Sequence, residues 1–253
     1  MKKSFLNKSE PLIMEMIQVK TPAQAKIRIQ NAIADGATAI GFQMHCLETQ
    51  YRDEETIKDI FSVCSGTPIY FTNYRQVFNQ GMSDEELAEG LLFGLSCGAT
   101  LVDVMGDAFF PSPDELATDK TAIEKQMRLI DEIHARGGEV LMSSHMVGFR
   151  PAERVLEIAL EQERRGADIV KIVTGANTEL EEIENLKTCT LLKKELKVPF
   201  LFLSGGTNSK LHRLIGPALG VNMWLCFREY DEFTYPGPPL LSNVLKIKSG
   251  LNL

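Results

Sequence analysis

The chain has 253 residues, with 34 acidic side chains against 27 basic ones and a formal net charge of −7. That balance excludes broad nucleic-acid binding, which needs a basic face, and no apolar run approaches the roughly 18 to 20 residues that span a bilayer. Apolar and charged contents are those of a globular protein rather than a disordered or fibrous one. The N-terminal segment opens with Lys2 and Lys3 but has no uninterrupted apolar stretch and no small-residue cleavage site, so a cytoplasmic protein is expected. The five cysteines (Cys46, Cys64, Cys97, Cys189 and Cys226) are scattered and form no C-x-x-C pair. They are expected to be small buried hydrophobes, not zinc ligands or disulfides.

Short apolar, β-branched runs alternate with longer amphipathic stretches along the whole chain. Strands are predicted at 12–19, 38–44, 68–73, 100–105, 139–144, 168–173, 199–204 and 221–227. The helices between them begin near Thr21, Asp53, Ser83, Asp119, Pro151, Asn177, Ser209 and Pro239. Ser83 and Glu86 have capping-box spacing, and Pro22 after Thr21 sits at a first helical position. Gly36, Gly98, Gly137 with Gly138, and Gly166 stand where helices should stop before the next strand. Apolar strands flanked by helices imply a parallel sheet covered on both faces. Eight such units predict a (β/α)8 TIM barrel, with residues 1–253 as one domain. A doubly wound open sheet usually opens with a glycine-rich turn, but Lys20, Thr21 and Pro22 follow the first strand here.

Barrel active sites lie at the C-terminal strand ends. There the sequence offers Glu15 and Gln18, Gln43 and His45, Thr72 and Arg75, Asp103 and Asp107, Ser143 to His145, Lys171, Ser204 and Arg228. Lys171 stands inside an apolar strand, and burial favours the neutral amine, the form that attacks a carbonyl to make an imine. The other reading is a lysine snorkelling from a strand end or held in a structural ion pair. His145 ends the preceding strand and can exchange protons near neutral pH, which every step of imine chemistry needs. Arg75 and Arg213 are candidate carboxylate clamps. Gly205 and Gly206, before a helix start, read equally as a phosphate cradle or as a plain turn. His134 and His212 fall in predicted helices and are expected to be structural or exposed.

With these residues in view, the chain resembles a divergent member of the type I 3-dehydroquinase (3-dehydroquinate dehydratase) family over nearly its full length. The likeness is strongest from about residue 139 onward. The strand ending at His145 resembles the family's strand ending in its catalytic histidine, and the strand around Lys171 the one bearing its Schiff-base lysine. The segment from Phe71 to Arg75 resembles the family's F-T-x-R, and that from Ser209 to Gly216 the one holding its carboxylate-binding arginine. Thr234 to Gly237 resembles its S-A-P-G-Q loop. The resemblance implies a dehydratase of the shikimate pathway, acting without cofactor or metal and commonly dimeric. Lys171 would form the imine, His145 would move the proton, and Arg213, Arg75, Thr234, Gln43 and Asp103 would bind a small keto acid.

Four positions depart from the family pattern. Gly41, Phe42 and Gln43 replace its E-x-R element, and Asn79 stands for its acidic residue after the third-strand arginine. Met105 replaces a glutamate two residues after Asp103, and Pro238 replaces its substrate-binding glutamine. Polar groups are lost around the substrate while the Lys–His pair remains, so a substrate altered from 3-dehydroquinate is expected. Glu15, His45 and Asp107 are candidates to replace the lost groups. The alternatives are a class I Schiff-base aldolase with a phosphate at Gly205 and Gly206, and a non-catalytic relative that binds a small ligand.

Overall fold

The computed structural model describes residues 3–253. Its strands are β1 (Leu12–Ile17), β2 (Ala39–Gln43), β3 (Ile69–Thr72), β4 (Leu101–Met105), β5 (Glu139–His145), β6 (Ile169–Gly175), β7 (Phe200–Gly205) and β8 (Met223–Cys226). They alternate with α1 (Pro22–Ala34), α2 (Glu54–Ser62), α3 (Asp84–Ser96), α4 (Lys120–Ala135), α5 (Ala152–Arg164), α6 (Glu179–Glu195), α7 (Lys210–Ile215) and α8 (Leu241–Leu251). All pairings are parallel, in the order β7-β6-β5-β4-β3-β2-β1-β8. Across the remaining seam the Asn222 N–H donates to the Phe200 carbonyl at 2.8 Å. This is the expected (β/α)8 barrel, nearly closed.

The helix punctuation follows local chemistry. Thr21 with Gln24 and Ser83 with Glu86 form reciprocal capping boxes at α1 and α3, satisfying amide donors that an open helix start leaves bare. At α6 the cap is Thr178, paired with Glu181, one residue beyond the Asn177 expected from sequence. Two short 3-10 turns, Met44–Cys46 and Val77–Asn79, escape the sequence pattern because three residues are too few to show a period. Among the described residues no helix is long and apolar enough to cross a membrane.

Register decides which side chains enter the barrel. Met16 stands beside Gly41, Gly41 beside Tyr70, and Tyr70 beside Leu101. Further round, Asp103 stands beside Leu141, Ser143 beside Lys171, and Lys171 beside Leu201. Neighbours in a parallel ladder share a face, so these residues all point inward. The odd positions of β1, Ile13 and Ile17, pack instead into the layer between sheet and helices. Four cysteines are buried as expected, whereas Cys46 is half-buried; all five are free thiols.

Candidate active site

At the C-terminal ends of the strands the barrel opens into a cavity of about 510 Å³. Its chemistry starts with Lys171, whose side chain is 5% exposed. The Nζ group donates to the Tyr74 hydroxyl at 2.7 Å, the Tyr70 hydroxyl at 3.0 Å and Asp103 Oδ2 at 3.2 Å. An ammonium has three hydrogens, and each has an oxygen partner. The same Oδ2 also accepts from Tyr70 and, at 2.5 Å, from Tyr74, while Oδ1 accepts from Ser143 at 2.5 Å. Burial works to raise the Asp103 carboxyl, but the charges of Lys171 and His145 and the surrounding hydroxyls overturn it and hold the group below its ordinary range. Lys171 is therefore buried and partnered, and the ion pair that the sequence left open as its other reading is present with Asp103. For both phenols, burial first and the Asp103 charge second push the pKa well above its ordinary value, so they remain hydrogen-bond donors.

His145 faces the cavity one interior layer beyond Lys171, paired in register with Val173. Its Nδ1 and its backbone N–H both meet Glu115 Oε2, at 2.9 and 2.7 Å. A carboxylate on Nδ1 selects the tautomer with the proton there and leaves Nε2 as the basic atom. Glu115 belongs to the long loop between β4 and α4. It is held in the left-handed region at φ 43°, and its carbonyl accepts from the Ser144 hydroxyl at 2.7 Å. The His145 ring stands edge-on to Tyr74 at 5.4 Å, so Tyr74 lies between the imidazole and the amine.

The opposite wall is apolar. Met16, Leu203, Leu225, Phe227 and Pro238 line it, with Arg213 as its charge. Arg213 is 7% exposed, and its Nε donates to the Ser204 carbonyl at 2.5 Å. Among the described residues its two Nη groups meet no acceptor, and Arg213 lines both this cavity and a smaller one beside it. A buried guanidinium without a carboxylate invites an anion, because burial disfavours its charge. Gln43 also faces the cavity, accepting from the Gln18 amide at 2.9 Å. At Gly41 an added Cβ would collide with the Met16 sulfur and press on the Tyr70 ring. The space that a longer side chain would enter from β2 is thus already filled.

The structure places several of the expected site residues in contacts with the chain's own groups. Arg75 borders the cavity, and its guanidinium is engaged by Asp84 at 2.7 Å and by Asp107 at 2.8 Å, which ties the three residues into one ion-pair cluster. Asp103 has its side chain 0% exposed and pairs with Lys171. The Thr234 hydroxyl stays within its own turn, donating to Asp231 Oδ1 and accepting from the Asp231 N–H, and it is Tyr235 that reaches the cavity. Glu15 lies on the opposite strand face from Met14 and Met16. There burial pushes it up to about 7 against an Arg228 amide bond, far from any substrate role. His45 does line the cavity, with Nδ1 accepting from the Tyr74 N–H at 3.3 Å. Burial lowers its pKa to about 4, which keeps it neutral.

The Gly205 and Gly206 turn is filled by its own chain. The Asn208 N–H donates to the Ala176 carbonyl, Thr207 N–H to Asn177, and a Cβ on Gly206 would lie 2.6 Å from the Ala176 oxygen. Two of the amides a phosphate would use are thus already bonded within the chain. As expected, His212 is structural, between Cys189 and Ser204, and the half-exposed His134 pairs with Asp168.

Tyr70, Tyr74 and Glu115 are absent from the sequence expectation, which names Ser143 at the barrel mouth but gives it no partner. A signal existed for one of them: counted strictly from Phe71, the F-T-x-R spacing puts Tyr74, not Arg75, at the fourth position.

Comparison with known proteins adds the family context. The family model for type I 3-dehydroquinase matches residues 15–242. The 3-dehydroquinate dehydratase of Geobacillus kaustophilus HTA426 superposes with a TM-score of 0.83 at 17% identity, covering 99% of this chain and 96% of that one. The type I enzyme of Clostridium difficile, solved with covalently modified comenic acid, gives 0.79 at 18% identity, covering 97% and 92%. The carboxyl transferase domain of Rhizobium etli pyruvate carboxylase gives 0.68 at 13% identity, covering 97% of this chain and 44% of that one. At such identities the likeness is one of fold. No curated protein sequence matches the chain.

Proposed function

The chain belongs to the type I 3-dehydroquinase family, and from that premise we propose a Schiff-base carbon–oxygen lyase acting on a small keto acid. Lys171 is the nucleophile and His145 the acid and base. The observation that carries this reading is the single amine on the cavity floor, held by two phenols and a carboxylate. Lys171 gives a proton to Asp103, attacks the substrate ketone, and after loss of water forms an iminium. That iminium draws electrons and acidifies the neighbouring carbon. His145 Nε2 removes the proton there and then protonates the departing hydroxyl, with Glu115 fixing the imidazole. Arg213 receives the carboxylate through its free Nη groups.

The substrate is altered from 3-dehydroquinate. Gly41, Met105 and Pro238 offer no polar side chain, and Leu203, Leu225 and Phe227 would desolvate a ring hydroxyl without a partner. Each such hydroxyl costs about 1–3 kcal/mol. The test is borohydride trapping against a panel of keto acids that includes 3-dehydroquinate, with the adduct read by intact mass. A reduced adduct with a hydroxyl-poor keto acid, together with slow turnover of 3-dehydroquinate, is expected. Turnover of 3-dehydroquinate at ordinary enzymatic rates would overturn the altered substrate, and no adduct across the panel would overturn the Schiff base.

A further inference from the structure

We propose that Tyr74 is a catalytic residue, the proton donor that expels water when the imine forms at Lys171. This rests on the Schiff-base reading of the same site. Of the three groups on Nζ, Tyr74 is the nearest, at 2.7 Å, and it is also the one that lines the cavity. Tyr70 is 0% exposed and Asp103 lies beneath both rings, so neither meets the space a substrate enters. The oxygen of a carbinolamine is two bonds from Nζ. A hydroxyl that touches Nζ from the cavity side is therefore within reach of the oxygen that must leave.

His145 is placed for a different step. Register sets it one layer further out, level with Val173, and its Nδ1 is occupied by Glu115. It faces the substrate carbons, whereas Tyr74 faces the nitrogen. The Tyr74 backbone is fixed on both sides: its N–H donates to His45 Nδ1 at 3.3 Å, and its carbonyl accepts from Asn79 Nδ2 at 2.9 Å. The carboxamide of Asn79, where the family pattern has an acid, thus helps to hold the phenol in place.

The proton inventory closes within this cluster. The Lys171 ammonium gives one proton to Asp103 and becomes the amine. The amine adds to the carbonyl carbon, and a proton moves from nitrogen to oxygen to give the neutral carbinolamine. Tyr74 then protonates that hydroxyl, the C–O bond breaks, and water leaves an iminium beside a phenolate. Asp103, still carrying the first proton, returns it to Tyr74 through their 2.5 Å contact. One water is released, and the iminium again faces an ionised Asp103. The groups around the phenol are Lys171, Asp103, Tyr70, His45 and His145. Burial is the larger cause that holds the phenol protonated; once Asp103 holds the ammonium's proton, the second cause, its negative charge, is gone.

The test uses acetylacetone, a 1,3-diketone that condenses with an unprotonated amine to a conjugated enaminone, read by ultraviolet absorbance and located by peptide mass. Wild type is expected to be labelled at Lys171. Tyr74→Phe should slow the labelling by about 10²–10⁴-fold, at least ten times more than Tyr70→Phe, which removes a like hydrogen bond on the side away from the cavity. The acetylacetone concentration giving half-maximal rate should change little. Labelling of folded Tyr74→Phe at the wild-type rate overturns the role of Tyr74 and leaves the Schiff base standing. A wild type unlabelled at Lys171 overturns the Schiff base itself. Should Tyr74→Phe lose its cooperative melting transition, a fluorinated tyrosine at position 74 serves instead. Its more acidic phenol should move the pH profile of labelling downward, and an unmoved profile would refute the role.

Discussion

The two sides of the barrel mouth are built on opposite principles. From β3 round to β6, Tyr70, Tyr74, Asp103, Ser143, His145 and Lys171 bond to one another or to Glu115, so each of these side chains already has a partner. From β7 through β8 to β1 the wall is Leu203, Leu225, Phe227 and Met16, and Arg213 keeps two nitrogens without an acceptor among the described residues. The first side is mostly satisfied from within, with the buried Thr72 hydroxyl and His145 Nε2 left without a hydrogen-bond partner among the described residues, and suits proton movement. The second is incomplete until an anion arrives, and suits binding. Substitutions should therefore damage folding on the first side and ligand affinity on the second.

The largest effect should come from Lys171→Met. It should abolish carbonyl adducts and, by stranding a buried Asp103, lower stability by about 3–5 kcal/mol in urea unfolding. Adding Asp103→Asn should recover much of that loss; no recovery would mean that the pair is not the source. Next, His145→Ala should leave the trapped imine intact but slow deuterium exchange beside the carbonyl of the trapped compound by about 10²–10⁴-fold. Equal loss of trapping would merge two roles that the geometry keeps apart.

On the other side, Arg213→Leu should weaken keto-acid binding by about 1.5–3 kcal/mol, the worth of a hydrogen bond to a charged group. Binding of the matching methyl ester should hardly change. Thermal stability should hold or rise, because a buried cation without a counter-charge is removed; a marked fall would erase the contrast between the sides. The smallest effect is expected of Gly41→Glu, which restores a family charge where Met16 and Tyr70 leave no room. Overpacking should cost about 1–3 kcal/mol, and Met16→Ala in the same chain should relieve it.

The barrel was legible in the sequence because each βα unit repeats strong local signals, such as the Ser83 capping box and the stop at Gly36, where φ is 105°. Lys171 and His145 stood out for a related reason: a charged or titratable residue within or at the end of a strand breaks an apolar pattern. The partners were hidden by distance along the chain. Tyr70 and Lys171 are 101 residues apart and Glu115 and His145 are 30 apart, and only barrel closure and one loop bring them together. A tyrosine on a buried strand also reads as core until its hydroxyl is seen to meet Nζ. Arg75 and Asp103 show the opposite case. Their residue types suit ligand binding, but Asp84 and Asp107 hold the first, and Lys171 with the phenols holds the second.

The most direct measurement is tryptic mapping of the borohydride-reduced adduct formed with whichever keto acid of the panel is trapped. The account predicts a stoichiometric label on Lys171, lost in Lys171→Met and weakened in Arg213→Leu. A label on any other lysine, or one that persists in Lys171→Met, would contradict it.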